Sequence, residues 1–284
     1  MTNDEQVRTV SRRLRDLVEP LAANVYFAPE AQEAYKELGL SYIPGYFCSR
    51  SACLGAVPGE VVVAAFGVFQ PALVLGAVTE GRGKASVEDL LAARQQGATA
   101  ALARIFEGVP DGSARATGLL RAAGAAAGLE GHALHAGLRS LGFPGDALGD
   151  LWRAADLVRE HRGDSHNAAW ISHDVDAVEI TLLTELWWRL PLNSYVRTRG
   201  WSEEEIAAGI ARLRRRGLVD DQGFTPEGES LRAAIEVATD RQERSVVEAL
   251  GDDAEELFDL LEPWATAIVE SGGYPADPRR LTRK

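Results

Sequence analysis

The sequence predicts an all-α protein with one small β-wing. Apolar residues recur at helical spacing in most segments of the 284-residue chain. No alternating series typical of strands appears outside one short turn near residue 220. Hydrophobic residues make up 46% of the chain, which is enough to bury a sizeable core. These observations together predict a multi-helical protein with a single hairpin.

The helices can be predicted in order from their apolar faces and caps. The first covers 4–26 and carries Val7, Val10 and Leu14 on one face. Ser86 and Asp89 have the spacing of a capping box and predict the start of a long alanine-rich helix. The other predicted helices cover 29–38, 61–69, 112–128, 132–141, 146–162, 178–190, 203–217, 226–249 and 253–271. Because 61–69 is apolar on every side, we expect protein to surround it.

The domain prediction divides the chain near residue 145. Residues 52–79 are nearly all apolar, but Pro58 and Pro71 divide them into pieces too short to cross a bilayer. The charged N-terminus does not have the pattern of a signal peptide, so we expect a cytoplasmic protein without a membrane partner. We predict a helical N-terminal region with buried apolar helices at 1–145 and a second region at 146–284.

The second region contains the pattern of a winged helix-turn-helix module. Ser202 and Glu205 form a Ser-x-x-Glu capping box, which predicts a helix from Glu203 to about Gly217. A tight turn at 220–223 separates two short strands. A threonine cap and a proline then begin another long helix. The order of helix, two-strand wing and helix is that of the back half of such a module.

The surface that would read DNA in this module is acidic. Glu203, Glu204 and Glu205 open the reading helix, and the formal net charge of the chain is −12. Acidic groups at the contact points oppose phosphate binding, so the sequence argues against DNA as a partner. Arginines near the module keep DNA binding open as an alternative, which requires a homodimer. These candidate DNA contacts are Arg197, Arg199, Arg214, Arg215 and Arg216.

The densest cluster of polar chemistry lies at 157–173, LVREHRGDSHNAAWISH. Gly163 predicts the end of one helix and Asp164 the cap of the next. Such a corner would turn His161 and His166 into a shared crevice, with Asp164 fixing an imidazole tautomer. These three residues are our candidate catalytic groups, although a purely structural corner explains the same pattern.

A second candidate site lies at 42–55, YIPGYFCSRSACLG, beside the apolar run. Its aromatic residues and single cation are what a small-molecule pocket needs, and core packing would use the same residues. Together with Arg162, which could bind a carboxylate or phosphate, the candidate ligand-binding residues are Tyr42, Tyr46, Phe47, Arg50 and Arg162.

The sequence identifies no metal site and no cofactor. Cys48 and Cys53 lie five residues apart without a nearby histidine, so we expect reduced packing thiols. His161 and His166 do not have the His-x-x-x-His spacing of a metal helix. Nucleotide-binding loops and a serine-nucleophile elbow are also missing from the sequence.

Several motifs resemble those of an actinobacterial family of helix-turn-helix-related proteins of unsettled function. They are YFAPEA, GYFCSRSACLG, LVREHRGDSHNAAW, RGWSEEE and GFTPEGESLRAAIEVATD. The string Arg-Glu-His-Arg-Gly-Asp-x-His and the Ile-Glu-x-x-Thr-Asp ending are the most specific of them, and the similarity covers most of the chain. The resemblance implies an all-α fold containing a winged helix, but no reaction, cofactor or catalytic residue.

Three functional hypotheses follow. The first is a protein that binds a small organic molecule for sensing, sequestration or resistance, on a winged-helix scaffold with a weakened DNA-binding surface. The second is an enzyme in which His161, Asp164 and His166 transfer protons. The third is a DNA-binding transcriptional regulator. We favour ligand binding, because the sequence offers apolar volume and a polar corner but no complete catalytic apparatus.

Overall fold

The computed structural model describes residues 3–275. Residues 1–2 of the first predicted region and 276–284 of the second lie outside the described residues. The described chain is almost entirely helical, with one two-stranded sheet. Its helices are α1 (Asp4–Ala23), α2 (Pro29–Glu37), α3 (Tyr42–Ser51), α4 (Gly59–Phe66), α5 (Pro71–Arg82), α6 (Val87–Phe106), α7 (Ser113–Ala126), α8 (Ala133–Ser140), α9 (Ala147–Ser172), α10 (Ala177–Trp187), α11 (Glu203–Arg215), α12 (Pro226–Gln242), α13 (Arg244–Leu250) and α14 (Ala254–Glu270). The strands are β1 (Val219–Asp220) and β2 (Gly223–Phe224).

The predicted corner at Gly163 is wrong, because α9 continues without a break from Ala147 to Ser172. A glycine inside a helix costs only about 1 kcal/mol relative to alanine. Burial of one large apolar side chain contributes about 1.5 to 3 kcal/mol. Buried Val158 and Trp170 lie on either side of Gly163, so packing outweighs the local cost.

Helix α9 is the centre of the fold and packs against α1, α6, α7, α8 and α12. The largest core cluster joins its first half to helices from both ends of the described chain. Leu14 of α1, Trp152 of α9 and Phe258 of α14 all belong to it. The indole of Trp152 donates a hydrogen bond to the Ala22 carbonyl over 3.0 Å, which satisfies its buried N–H. The division of the chain into regions 1–145 and 146–284 stays a prediction.

The predicted order of helix, hairpin and helix is confirmed between α11 and α12. Ser202 and Glu205 form the expected capping box, and α11 buries Ile206 and Leu213. The strands pair antiparallel, with Val219 opposite Phe224. These elements share a second core cluster with α10 and the end of α9.

A third core cluster joins α3, α4, α5 and α8. The prediction that 61–69 forms one helix surrounded by protein is wrong on two points. Gly67 adopts φ +66° and ends α4 at Phe66. Val61 is 42% exposed, so the small apolar residues on one side of this short helix face solvent.

Within residues 3–275, no single helix has both the length and the apolar character needed to cross a membrane. One bent pair, Tyr42–Leu54 with Gly59–Phe66, meets the length and composition criteria together and bends by 95° at its break.

Candidate ligand-binding cleft

The structure contains a cleft of about 1230 Å³. Residues of α1, α3, α4, α9, α10, α12 and the 3-10 turn Val196–Arg199 line it. The cleft exceeds the range of about 300 to 1,000 Å³ typical of small-molecule sites. It contains every residue that the sequence suggested for ligand binding, namely Tyr42, Tyr46, Phe47, Arg50 and Arg162.

Aromatic rings make up the wall on the α3 and α4 side. The Tyr46 ring lies 5.0 Å from that of Phe47 and 5.8 Å from that of Phe69, measured between centroids. Phe47 and Phe69 meet edge to face at 4.9 Å. Such edge and tilted contacts are favourable beyond the area that they bury, so this wall is a rigid apolar surface.

Large apolar side chains also remain exposed at the mouth of the cleft. Tyr42 is 44% exposed, Ile43 40%, and Trp187 and Trp188 37% each. Clustered exposed aromatic residues are typical of binding surfaces. The sequence analysis missed the two tryptophans. Two adjacent tryptophans at the predicted end of a helix could have suggested an exposed aromatic surface, because the helical pattern does not require both of them to be buried.

The cleft is rich in arginine although the chain as a whole is acidic. Seven arginines line it against five aspartates and glutamates. The net charge of the whole chain is −12. The count leaves out Glu160 and Asp240, which pair with Arg50 and Arg162, so the positive charge of the cleft is largely neutralised within the protein.

The predicted ligand-binding cation Arg50 is engaged inside the protein. Its Nε and Nη2 donate to Glu160 Oε1 and Oε2 over 2.8 and 2.7 Å. Burial alone would raise the pKa of Glu160, but the facing guanidiniums of Arg50 and Arg159 lower it to about 2. Arg50 therefore acts as part of a buried ion pair and has little charge left for a ligand.

Arg162 is engaged in the same way at the other end of the cleft. Its Nη2 donates to Asp240 Oδ1 over 2.9 Å and lies 3.4 Å from Glu236 Oε2. Glu236 also accepts a hydrogen bond from Arg232 over 2.7 Å. Burial tends to raise the pKa of Glu236, but the positive charge of Arg232 outweighs burial and lowers this pKa to about 2.

Arg199 differs from both. Its guanidinium carbon lies 4.2 Å from the Tyr195 ring centroid and 4.8 Å from that of Phe69. The Nε atom is buried and has no hydrogen-bond partner among the described residues. Burial and the neighbouring Arg50 lower the pKa of Arg199 to about 10, while nearby tyrosines oppose the shift. The group stays cationic at neutral pH.

The three candidate catalytic residues do not converge. His161 is buried, with Nδ1 2.8 Å from Glu243 Oε1. Asp164 accepts a hydrogen bond from the His135 amide over 3.1 Å. His166 turns to α12, where its Nδ1 lies 3.1 Å from Thr239 Oγ1. His161 and Asp164 are three positions apart on the continuous helix and both contact His135, whereas His166 lies about 140° around the helix from His161 and faces α12.

His161 belongs to a buried histidine cluster outside the cleft wall. Its ring stacks on that of His132 at 4.2 Å and meets that of His135 edge-on at 5.1 Å. Ser165 donates to Glu243 over 2.9 Å and lies 3.0 Å from His132 Nε2. This network joins α9 to His132, which precedes α8, and to Glu243, which follows α12, while His135 Nε2 and His161 Nδ1 are buried without a well-aligned hydrogen bond among the described residues.

Asp164 and His166 do line the cleft. Burial, followed by the nearby Glu160 charge, raises the pKa of Asp164 to about 7. Burial, followed by the nearby Arg232 charge, lowers the pKa of His166 to about 4. At neutral pH the cleft therefore presents a neutral imidazole and a carboxyl group close to half ionisation.

The arginines considered for DNA contact are largely occupied by neighbouring acids. Arg197 lies 3.2 Å from Glu203, and Arg214 lies 2.6 Å from Asp221. Arg216 donates to Glu179 over 2.9 Å and to the Asp174 carbonyl over 2.8 Å. Among the described residues, no ion pair includes the other two candidates, Arg199, which lines the cleft, and Arg215, which is exposed.

The two cysteines are free and buried, as expected for packing thiols. Burial raises the pKa of Cys48 to about 11 and that of Cys53 to about 12, so both stay protonated. In the part of the chain that the structure describes, no three His, Cys, Asp or Glu side chains are arranged to hold a metal ion.

The chain belongs to a helix-turn-helix family, whose match covers residues 11–275. That range includes the hairpin and all the residues that line the cleft. Comparison with curated proteins and with solved structures gives no match to this chain.

Proposed function

We propose that this protein binds a small organic molecule in the cleft, as a sensor, sequestering protein or resistance factor. The scaffold is a winged helix-turn-helix relative, in which α11 corresponds to the reading helix and β1–β2 to the wing. The observation that carries the proposal is the convergence of two sequence-distant groups on one cavity. Tyr42 and Tyr46 come from α3, whereas Arg162 and His166 come from α9.

The exposed aromatic side chains support the same proposal. A large apolar surface in water is unfavourable, by about 25 cal/mol for each Å² left uncovered. Trp187 and Trp188 keep 37% of their surface open beside the cleft, where a bound apolar molecule would cover it. The acidic residues Glu203, Glu204 and Glu205 at the start of α11 oppose phosphate binding, which agrees with a scaffold used for ligand binding.

Fluorescence titration with N-phenyl-1-naphthylamine tests the proposal. This neutral aromatic probe brightens in apolar surroundings. The blocking variant is Gly163→Phe, because Gly163 lines the cleft and an added Cβ would meet only Glu160 Oε2, at 3.7 Å. We expect saturable binding of one probe by the wild type, and at least about tenfold weaker binding by the variant.

The matched control is Gly118→Phe, at an exposed position on α7. An added Cβ at Gly118 meets nothing within 4 Å, and the residue is not among those lining the cleft. We expect its binding curve to match that of the wild type. Equal binding by wild type and Gly163→Phe, or none by either, would contradict the proposal.

DNA binding is the second candidate, favoured by the helix-turn-helix family and by the helix–hairpin–helix order. Its remaining cationic contact is the exposed Arg215, next to Arg214 on α11. Anisotropy with a random DNA duplex at low salt tests it. Salt-dependent binding that disappears in Arg214→Glu/Arg215→Glu would support this function. Absence of binding by the wild type would remove it.

A further inference from the structure

We propose that the cleft selects an organic anion, and that Arg199 binds its carboxylate or equivalent acidic group. This inference rests on the proposed ligand-binding function and names the chemical class of the ligand. The ligand would have an aromatic or otherwise apolar body and one acidic group.

The first argument is the contrast between Arg199 and the other arginines of the cleft. Each of the other six has a carboxylate within 4.0 Å: Arg15, Arg50, Arg159, Arg162, Arg197 and Arg232. Among residues 3–275, none of the observed ion pairs includes Arg199. Its buried Nε has no hydrogen-bond partner, as is also true of Arg159 and Arg232, so the absence of a carboxylate is what distinguishes Arg199. A guanidinium whose Nε is desolvated and which has no counter-charge is costly, so a site that retains one is suited to an anion supplied from outside.

The second argument is that the backbone holds Arg199 in place. Its carbonyl accepts a hydrogen bond from the Gln70 amide over 2.9 Å. The next residue, Gly200, has φ +84°, and a Cβ there would lie 2.5 Å from Leu73 Cδ2. The turn is therefore fixed against the start of α5. A group that is already ordered loses little entropy when it binds.

The third argument is the surroundings of the guanidinium. Tyr195 and Phe69 lie against it, which leaves its edge to donate two parallel hydrogen bonds. The Trp188 ring meets that of Tyr195 at 5.0 Å and continues the aromatic surface to the mouth. A ligand whose acid meets Arg199 would therefore lay its body along Phe69 and Trp188.

Two probes with the same aromatic body test this inference. 1-Anilinonaphthalene-8-sulfonate carries one negative charge, and N-phenyl-1-naphthylamine has the same body without it. Both are titrated by calorimetry into the wild type and into Arg199→Gln. We expect the wild type to bind the sulfonate more tightly, and Arg199→Gln to weaken the sulfonate about 10- to 100-fold, the range for loss of a charge-assisted hydrogen bond. The neutral probe should change less than about twofold.

Arg121→Gln is the matched control, because its guanidinium carbon lies 4.0 Å from the Phe143 ring centroid and it does not line the cleft. It removes the same charge from an aromatic contact, and we expect it to bind both probes as the wild type does. Arg199→Lys serves if the glutamine variant unfolds. It keeps the charge but loses the planar pair of donors, and we expect it to weaken the sulfonate alone.

The outcomes separate this inference from the proposed function. One outcome overturns the anion site and leaves ligand binding intact. In it, the wild type binds the neutral probe as tightly as the sulfonate, and Arg199→Gln does not change the affinity for the sulfonate. Equal weakening of both probes also overturns it, because Arg199 would then support the wall. Failure of the wild type to bind either probe contradicts the proposed function itself.

Discussion

Replacing Asp164 by asparagine should make the stability of this protein less dependent on pH. The Asp164 side chain is buried beside the cleft and accepts a hydrogen bond from the His135 amide over 3.1 Å. Burial raises the pKa of Asp164 from 3.8 to about 7 in the folded protein. The folded state therefore holds a proton that the unfolded chain has already released, and the free energy of unfolding falls as pH rises through this window.

The size of the effect follows from the shift. One pKa unit corresponds to about 1.4 kcal/mol, so a rise from 3.8 to about 7 destabilises the ionised protein by about 4 kcal/mol. About 2 to 3 kcal/mol of this loss falls between pH 5 and pH 8. Asparagine has nearly the same shape and keeps an oxygen acceptor for the His135 amide, but it cannot ionise.

Urea denaturation of wild type and Asp164→Asn at pH 5 and pH 8 measures this effect. The free-energy difference between the two proteins should move by about 2 to 3 kcal/mol in favour of the variant at pH 8. Asp16→Asn is the control, because its side chain is 64% exposed and such surface changes stay within about 0.5 kcal/mol. A difference between wild type and Asp164→Asn that is the same at both pH values would refute the reasoning.

Further predictions concern a buried ion pair and a helix crossing. Glu160→Gln weakens the buried ion pair with Arg50, so we expect the free energy of unfolding, measured in urea, to fall by about 3 to 5 kcal/mol. A loss below about 1 kcal/mol would contradict an ion pair of this kind. Gly97→Ala should lower stability by about 1 to 3 kcal/mol, because its Cβ would lie 2.3 Å from the Ala31 Cα where α6 crosses α2. Gly118→Ala, on an exposed helical surface, should instead raise stability by about 0.5 to 1 kcal/mol, and equal signs for the two changes would argue against this packing.

Local chemistry made the region around α11 predictable. Ser202 and Glu205 satisfy each other's backbone amides within one turn of helix, so their spacing alone locates the start of α11. The strand pair Val219 and Phe224 follows from a tight turn between two short apolar runs. Neither feature depends on residues far away in the chain.

Long-range packing explains where the prediction of the site failed. The sequence around Gly163 has the local pattern of a break, but burial on both sides keeps α9 continuous and separates His161 from His166. Arg199 looked like part of a basic strip, because its neighbours Arg197 and Gly200 gave no sign of a cavity. Its real partner Phe69 lies 130 positions earlier, beyond the reach of any local pattern.

The prediction of the ligand-binding residues depended partly on residue type alone. Aromatic residues and a cation at 42–50 suggested a pocket, and Tyr42, Tyr46 and Arg50 do line the cleft. The sequence could not show that Glu160 would neutralise Arg50. Nor could it show that Arg199, alone of the seven arginines that line the cleft, would have no ion pair among the described residues.

The position of a bound probe tests the central claim most directly. Crystals of the protein soaked with 4-bromo-1-naphthylamine would reveal the bromine by its anomalous scattering. We predict a bromine peak inside the cleft, between Phe69 and Trp188 and close to Gly163. Bromine found only outside the cleft, or absent from it at concentrations that saturate the protein in solution, would contradict ligand binding at this site.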